Sequence, residues 1–222
     1  MLNNSIKLLI LDMDGTIFET RNFWMELHKI YGNHNEAYCF FSRNIHLDYS
    51  TLFQIMCKKF WTNIDISKYV ALTNQIKYNR SVVELVKRTS KLGIISAIVS
   101  SGDKTMALRA QRDINIDYIF ANTMFTREGR FTGRSLVGVD DKSKDIAVTT
   151  LLNELGLSWS NVACIGDSKN DIPVAIKSSI SFSYNSDDPI LNSCCTYQLD
   201  KSFSVSEVIN ALRFIPVDHK AL

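Results

Sequence analysis

The chain has 222 residues, enough for one domain with a sizeable insertion or for two small domains, and long enough to bury a real core. Hydrophobic residues make up 45% and charged residues 22%, the balance of a soluble globular protein, which argues against extensive disorder, and no stretch approaches the roughly 18 uninterrupted apolar residues of a membrane span. Lys and Arg number 25 against 23 Asp and Glu, a net charge of +2, so no global field favours nucleic acid or an anionic membrane, and partners must be argued from a site.

Ile6 to Leu11 is nearly continuously apolar and ends at Asp12. A run of that length fits a strand buried on both faces, and with two carboxylates and no small-residue cleavage site after it, it does not read as a signal peptide. A cytoplasmic location is the default expectation. From about 20 to 78 the pattern changes to amphipathic helices without strands: Phe23, Trp24, Leu27, Ile30 and Tyr31 share one face, and Leu52, Phe53, Met56, Phe60 and Trp61 another. Such aromatic stripes are expected to pack the core of a small bundle. Val82, Val83, Leu85, Val86 and Leu92 then form an apolar helical face with Gly93 as its stop, and IISAIVS (94 to 100) reads as a second strand.

A further strand candidate is YIFA (118 to 121), and MFTREGRFTGR (124 to 134) predicts a hairpin turning at Glu128 and Gly129. Val148, Leu151, Leu152 and Leu155 make another helical face, stopped by Gly156, before the strand VACIG (162 to 166) runs into Asp167. ISFSY (180 to 184) is one more candidate strand. Val205, Val208, Ile209 and Leu212 share the face of a closing helix, with Ser204 and Glu207 at capping-box spacing. Strands alternating with helices predict parallel βαβ units and an α/β fold. The five cysteines, at 39, 57, 164, 194 and 195, are odd in number and lack C-x-x-C spacing, so they read as reduced, mostly buried thiols.

The polar residues at the strand ends carry the chemistry. In Asp12-Met13-Asp14-Gly15-Thr16 an extended backbone would send Asp12 and Asp14 to one side and Met13 to the other. Two like charges in one crevice need neutralising, by a cation or by a shifted pKa. Gly166-Asp167-Ser168-Lys169-Asn170-Asp171 follows another apolar strand, with Pro173 suited to the first turn of the next helix, so Asp167 and Asp171 join the same rim. A rim of hard oxygen ligands that must also receive a phosphate suits Mg²⁺. Ser100, ahead of Ser101 and Gly102, offers a hydroxyl and nearby backbone N–H groups at a helix start, and Lys144 opens the helix before the third strand, where its ammonium would offset negative charge.

These residues resemble the haloacid dehalogenase superfamily of phosphohydrolases, in which a D-x-D-G-T strand end, a Ser or Thr strand end, a Lys and a G-D-x-x-x-D turn occur in this order. Asp12 to Thr16, Ser100, Lys144 and Gly166 to Asp171 match in turn, over the whole chain. Within it the chain is most similar to the phosphoserine phosphatase branch, through IVSSG, FANTMFTREGRFTG and the spacing of Lys144 from Asp167. The resemblance implies a three-layer Rossmann-like parallel sheet core of 1–18 and 79–222 with an inserted helical cap of 19–78. It also implies a Mg²⁺-dependent phosphomonoester hydrolase acting on a small phosphorylated metabolite.

By the same resemblance Asp12 is the nucleophile that forms an aspartyl phosphate, and Asp14 is the general acid that later activates water. Mg²⁺ would be held by Asp12, the main-chain carbonyl of Asp14, and Asp167, with Asp171 supporting. Ser100 or Ser101 and Lys144 would grip the phosphate, and Asn170 would contact it or orient the turn. Branch members place a glutamate nine positions after the nucleophile to receive the substrate ammonium; that position is Arg21 here, which would suit an acidic leaving group. The expected partner is a small phosphomonoester, with no nucleic acid or membrane, and the assembly a monomer or homodimer. Two other readings compete: a phosphotransferase or mutase of the same fold, and a phosphate-binding module without turnover, against which the Asp12 and Asp14 pair argues.

Overall fold

Leu8–Leu11 forms β1, all four side chains buried, and its alternation explains why both faces of the sheet are covered. Leu9 and Leu11 point into one hydrophobic cluster while Leu8 and Ile10 point into a second. The computed structural model describes residues 5–213, so the outer ends of the expected core, 1–4 and 214–222, lie outside the described residues.

After β1 the chain makes four helices in succession: α1 (Phe23–Ile30), α2 (His34–Arg43), α3 (Tyr49–Trp61) and α4 (Ser67–Gln75). It then enters α5 (Arg80–Ser90), β2 (Ile95–Asp103), α6 (Lys104–Ile114) and the hairpin of β3 (Tyr118–Arg127) and β4 (Arg130–Leu136). The remainder is α7 (Lys144–Leu155), β5 (Val162–Gly166), α8 (Ile172–Ala175), β6 (Ile180–Tyr184), α9 (Pro189–Cys194), β7 (Tyr197–Leu199) and α10 (Val205–Arg213).

The seven strands form one sheet in the order β4-β3-β2-β1-β5-β6-β7, parallel except for β4, which pairs antiparallel with β3. Helices α5, α6 and α10 pack on one face and α7, α8 and α9 on the other, which makes three layers. From β1 the chain pairs outward to β2 on one side and, later, to β5 on the other. That reversal opens a crevice at the carboxyl ends of β1 and β5, where open α/β sheets bind ligands.

The helical insert between β1 and α5 stands on this edge. Its interior is aromatic: Trp24 packs edge-on against Phe53, and Trp61 and Tyr69 meet Phe131 of β4 at centroid distances of 5.7 and 5.0 Å. Backbone bonds from Asn63 N–H to the Phe131 carbonyl and from Phe131 N–H to the Ile64 carbonyl, each 2.8 Å, tie the hairpin to the insert. Burying each large ring is worth roughly 1.5–3 kcal/mol, so insert and hairpin stabilise each other.

Several expectations are amended. α2 and α4 carried too little pattern to be foreseen, since α2 buries only Ala37 and α4 only Tyr69 and Thr73. β7 is three residues long, too short to register as a strand signal. Leu92 lies past the end of α5 and is exposed, whereas Gly93 does take the left-handed φ of +73° expected of a stop. β2 continues beyond Ser100 to Asp103, with irregular pairing between Val99 and Asp103, so the helix start falls at Lys104 and Asp103 caps it. All five cysteines are free, but only Cys57 and Cys164 are buried and Cys39 is exposed. The β3–β4 turn does fall at Glu128 and Gly129, both with positive φ, as a tight right-twisted hairpin requires. Among the described residues no helix is long and apolar enough to cross a membrane.

Candidate active site

Four chain segments meet at the crevice. Asp12 follows β1 directly, its N–H bonded to the Ile165 carbonyl of β5, and Met13 is fully buried on the opposite side. The chain then turns sharply at Gly15, whose φ of +80° is left-handed and whose missing Cβ leaves room for the Asp167 carboxylate. Asn79 closes this loop from below: its amide donates to the carbonyls of Gly15, Thr16 and Phe18 at 3.2, 2.7 and 3.2 Å.

Lys144, the first residue of α7, lies between two carboxylates. Its Nζ is 2.6 Å from Asp12 Oδ1 and 2.8 Å from Asp171 Oδ1, with all three side chains less than a tenth exposed. Burial alone would lower the lysine pKa, but the charges of Asp12 and Asp171 outweigh it and hold the ammonium protonated. Burial lifts Asp171 to about 6, opposed by Lys144, and its other oxygen accepts from the Asp167 and Ser168 N–H groups at 3.1 and 3.2 Å. It therefore stays ionised at neutral pH as the anchor of the turn. Gly166 is required here, because a Cβ on it would overlap the Asp171 carboxyl.

Asp14 differs in kind. Burial, reinforced by the Asp12 and Asp103 charges and opposed by a 2.9 Å bond from Phe23 N–H to Oδ2, raises its pKa to about 7. Its Oδ1 is buried with no hydrogen-bond partner. A carboxyl that holds a proton near neutrality, with one oxygen uncommitted, is equipped for acid–base work.

Ser100 is buried, its Oγ accepting from Gly102 N–H at 3.1 Å. The Ser101 carbonyl receives three donors: Trp24 Nε1 at 3.3 Å and Tyr49 hydroxyl at 2.8 Å from the insert, and Asn122 Nδ2 at 2.9 Å from β3. Asn122, fully buried, also accepts from the N–H groups of Gly138 and Val139, so one side chain fixes both the end of β2 and the approach to α7. Sequence reasoning missed Asn122 and Asn79; the available signals were an asparagine inside a strand, where that residue is otherwise depleted, for Asn122, and an asparagine at the start of a helix for Asn79.

Arg21 reaches the rim but is engaged, donating to Asp187 Oδ2 at 2.6 Å and to the Asn185 carbonyl at 2.8 Å. Asn170 lines the same cavity. The structure thus brings Asp12, Asp14, Arg21, Ser100, Ser101, Lys144, Asp167 and Asn170 around one space, with Asp171 behind Lys144.

The family model described as haloacid dehalogenase-like hydrolase matches residues 9–175, three quarters of the chain. The chain belongs to this family. Within it, a phosphoserine phosphatase of Lactococcus lactis is 30% identical over 130 residues, 57% of this chain and 59% of that protein. One of Archaeoglobus fulgidus is 29% identical over 113 residues, 50% of this chain and 33% of that protein. The matched stretches therefore span less than two thirds of the first relative and a third of the second. In fold, the chain is similar to a structure described as a phospho-aspartyl intermediate analogue of phosphoserine phosphatase, with a TM-score of 0.77, 19% identity, and coverage of 93% of this chain and 98% of that one. It is also similar to a probable phosphoserine phosphatase of Vibrio cholerae, with a TM-score of 0.81, 19% identity, and coverage of 95% and 67%.

Family members use a divalent metal, and the donor set fits one. Oxygens of Asp12, Asp167 and Asp171 lie within 4.8 Å of one another. Burial first, then the charges of Asp12 and Asp171, push Asp167 up to about 8, and no hydrogen bond reaches its carboxylate among the described residues. A carboxylate whose ionisation is opposed by burial and by two like charges is one whose charge a hard divalent cation would offset.

Proposed function

We propose that the chain is a phosphomonoester hydrolase that works through an aspartyl phosphate on Asp12, with Mg²⁺ as its cation and a small phosphorylated metabolite as its substrate. The observation that carries this reading is the unequal pair: Asp12 held by an ammonium at 2.6 Å, and Asp14 two residues on with its pKa raised to about 7. Environments that split two carboxylates in this way assign one as nucleophile and the other as acid.

An oxygen of Asp12 attacks phosphorus, and the bond to the leaving alcohol breaks as Asp14 delivers its proton to that oxygen. Asp14, now ionised, takes a proton from water, which attacks the aspartyl phosphate, releasing inorganic phosphate and restoring Asp12. Ser100 and the neighbouring N–H groups, with Lys144, would hold the phosphoryl oxygens, since stabilising their charge is the main demand of this chemistry. Asp12, the Asp14 carbonyl and Asp167 would ligate Mg²⁺, with Asp171 in support; the ion would supply charge neutralisation for the phosphoryl group. Residues 19–78 act as a cap over the core of 1–18 and 79–222, excluding bulk water from the acyl phosphate.

The test is a panel of phosphomonoesters assayed with and without Mg²⁺ on the native chain and Asp12→Asn. Chelation and the substitution should each abolish turnover. Undiminished hydrolysis without metal, or by Asp12→Asn, would refute the mechanism.

A further inference from the structure

The cavity above the carboxylates measures about 470 Å³, larger than a phosphoryl group needs, so the remainder must accept the leaving alcohol. Its two halves differ in chemistry. The floor is the charged site; the helical insert supplies the polar Arg21, Asn22 and Ser42 and, over the rest of the roof, Trp24, Met25, Tyr38, Phe41, Tyr49 and Leu52. The side-chain polar atoms of Trp24 and Tyr49 are both spent on the Ser101 carbonyl, which leaves their rings as the part free to contact a ligand. Both cations that line the space have their charge balanced already: Lys144 by Asp12 and Asp171, Arg21 by Asp187.

A carboxylate on the leaving group would therefore be desolvated with no unengaged cation to meet it, while a ring or alkyl body would cover apolar wall. Resting on the phosphatase reading, we propose that the natural substrate is the phosphomonoester of an apolar or aromatic alcohol that carries no carboxylate, seated against Phe41, Leu52 and Met25. Arg21, which the sequence connected with an acidic leaving group, is paired in this structure with Asp187 and the Asn185 carbonyl.

The test compares kcat/KM for 2-phenylethyl phosphate, ethyl phosphate and phosphoserine, whose leaving groups are all ordinary alkoxides, so that differences report the pocket. 2-Phenylethyl phosphate should exceed phosphoserine by at least about tenfold, the scale on which a hydrophobic pocket discriminates. Phe41→Ala should lower the ratio of 2-phenylethyl to ethyl phosphate several-fold, and Leu52→Arg, which adds the missing cation, should raise phosphoserine relative to 2-phenylethyl phosphate. These ratios do not depend on how much of a variant folds. Phosphoserine preferred by the native chain, or a ratio unmoved by Phe41→Ala, overturns this inference and leaves the phosphatase reading standing; no turnover of any ester overturns both.

Discussion

Replacing Lys144 with Met removes the one ammonium that sits 2.6 Å from Asp12 and 2.8 Å from Asp171, and does so where the lysine is only 2% exposed. Asp171 keeps its bonds from Asp167 N–H and Ser168 N–H, so the uncompensated charge falls mainly on Asp12. Breaking a buried ion pair from one side costs about 3–5 kcal/mol, a large part of the roughly 5–15 kcal/mol that holds a domain folded. With a urea slope of about 2–3 kcal/mol per molar for a chain of this size, the midpoint should fall by about 1–2 M in metal-free buffer. The double variant Lys144→Met, Asp12→Asn removes both charges and should recover more than half of the loss, a coupling of at least about 1.5 kcal/mol. Turnover should fall by about 10²–10³ as phosphoryl charge loses its partner. A loss below about 1 kcal/mol, or strictly additive single variants, would refute the view that this ammonium neutralises a buried nucleophile.

Asp103, which caps α6 and accepts from Tyr69 hydroxyl at 2.9 Å, is raised by burial from 3.8 to about 6. The folded state therefore binds its proton more tightly than the unfolded state, so stability is highest in acid and is lost as pH rises from about 4 through 6, by about 2–3 kcal/mol. Asp103→Asn keeps a capping oxygen but cannot titrate; its urea midpoint should decline less steeply between about pH 4 and 6 than the native chain's, the remainder coming from Asp14, Asp167 and Asp171, and parallel pH profiles would count against the assignment. Gly15→Ala forces a side chain onto a left-handed φ of +80° and into the Asp167 carboxylate, so it should cost upwards of about 1–2 kcal/mol and shift the Mg²⁺ titration of thermal stability. Arg21→Ala breaks a pair whose side chains are 52% and 86% exposed, and should change the denaturation midpoint by less than about 1 kcal/mol equivalent.

The parallel core was legible because its strands are short apolar runs, buried on both faces, that end abruptly in polar residues. Leu8–Leu11, Val162–Gly166 and Ile180–Tyr184 are wholly buried as such runs require. The stops at Gly93 and Gly156 were equally readable, since only a residue free of a Cβ takes the left-handed turn at no cost. The acidic residues of the site could be named because their positions at strand ends put them at one edge of a parallel sheet. What the sequence could not show is how a side chain's commitments are shared out. That Lys144 joins Asp12 to Asp171, that Arg21 is taken by Asp187, and that Asn122 ties two distant segments together are contacts between residues far apart in the chain.

Local pattern determines most of the strands, most of the helices and the residue types at the crevice, because burial and backbone preference act over a few neighbouring positions. Only tertiary structure decides which carboxyls of the site are pushed toward holding a proton, and which surface of the insert faces the space above them. Those properties depend on desolvation and on charges brought within a few ångströms by folding, and no spacing along the chain encodes such distances.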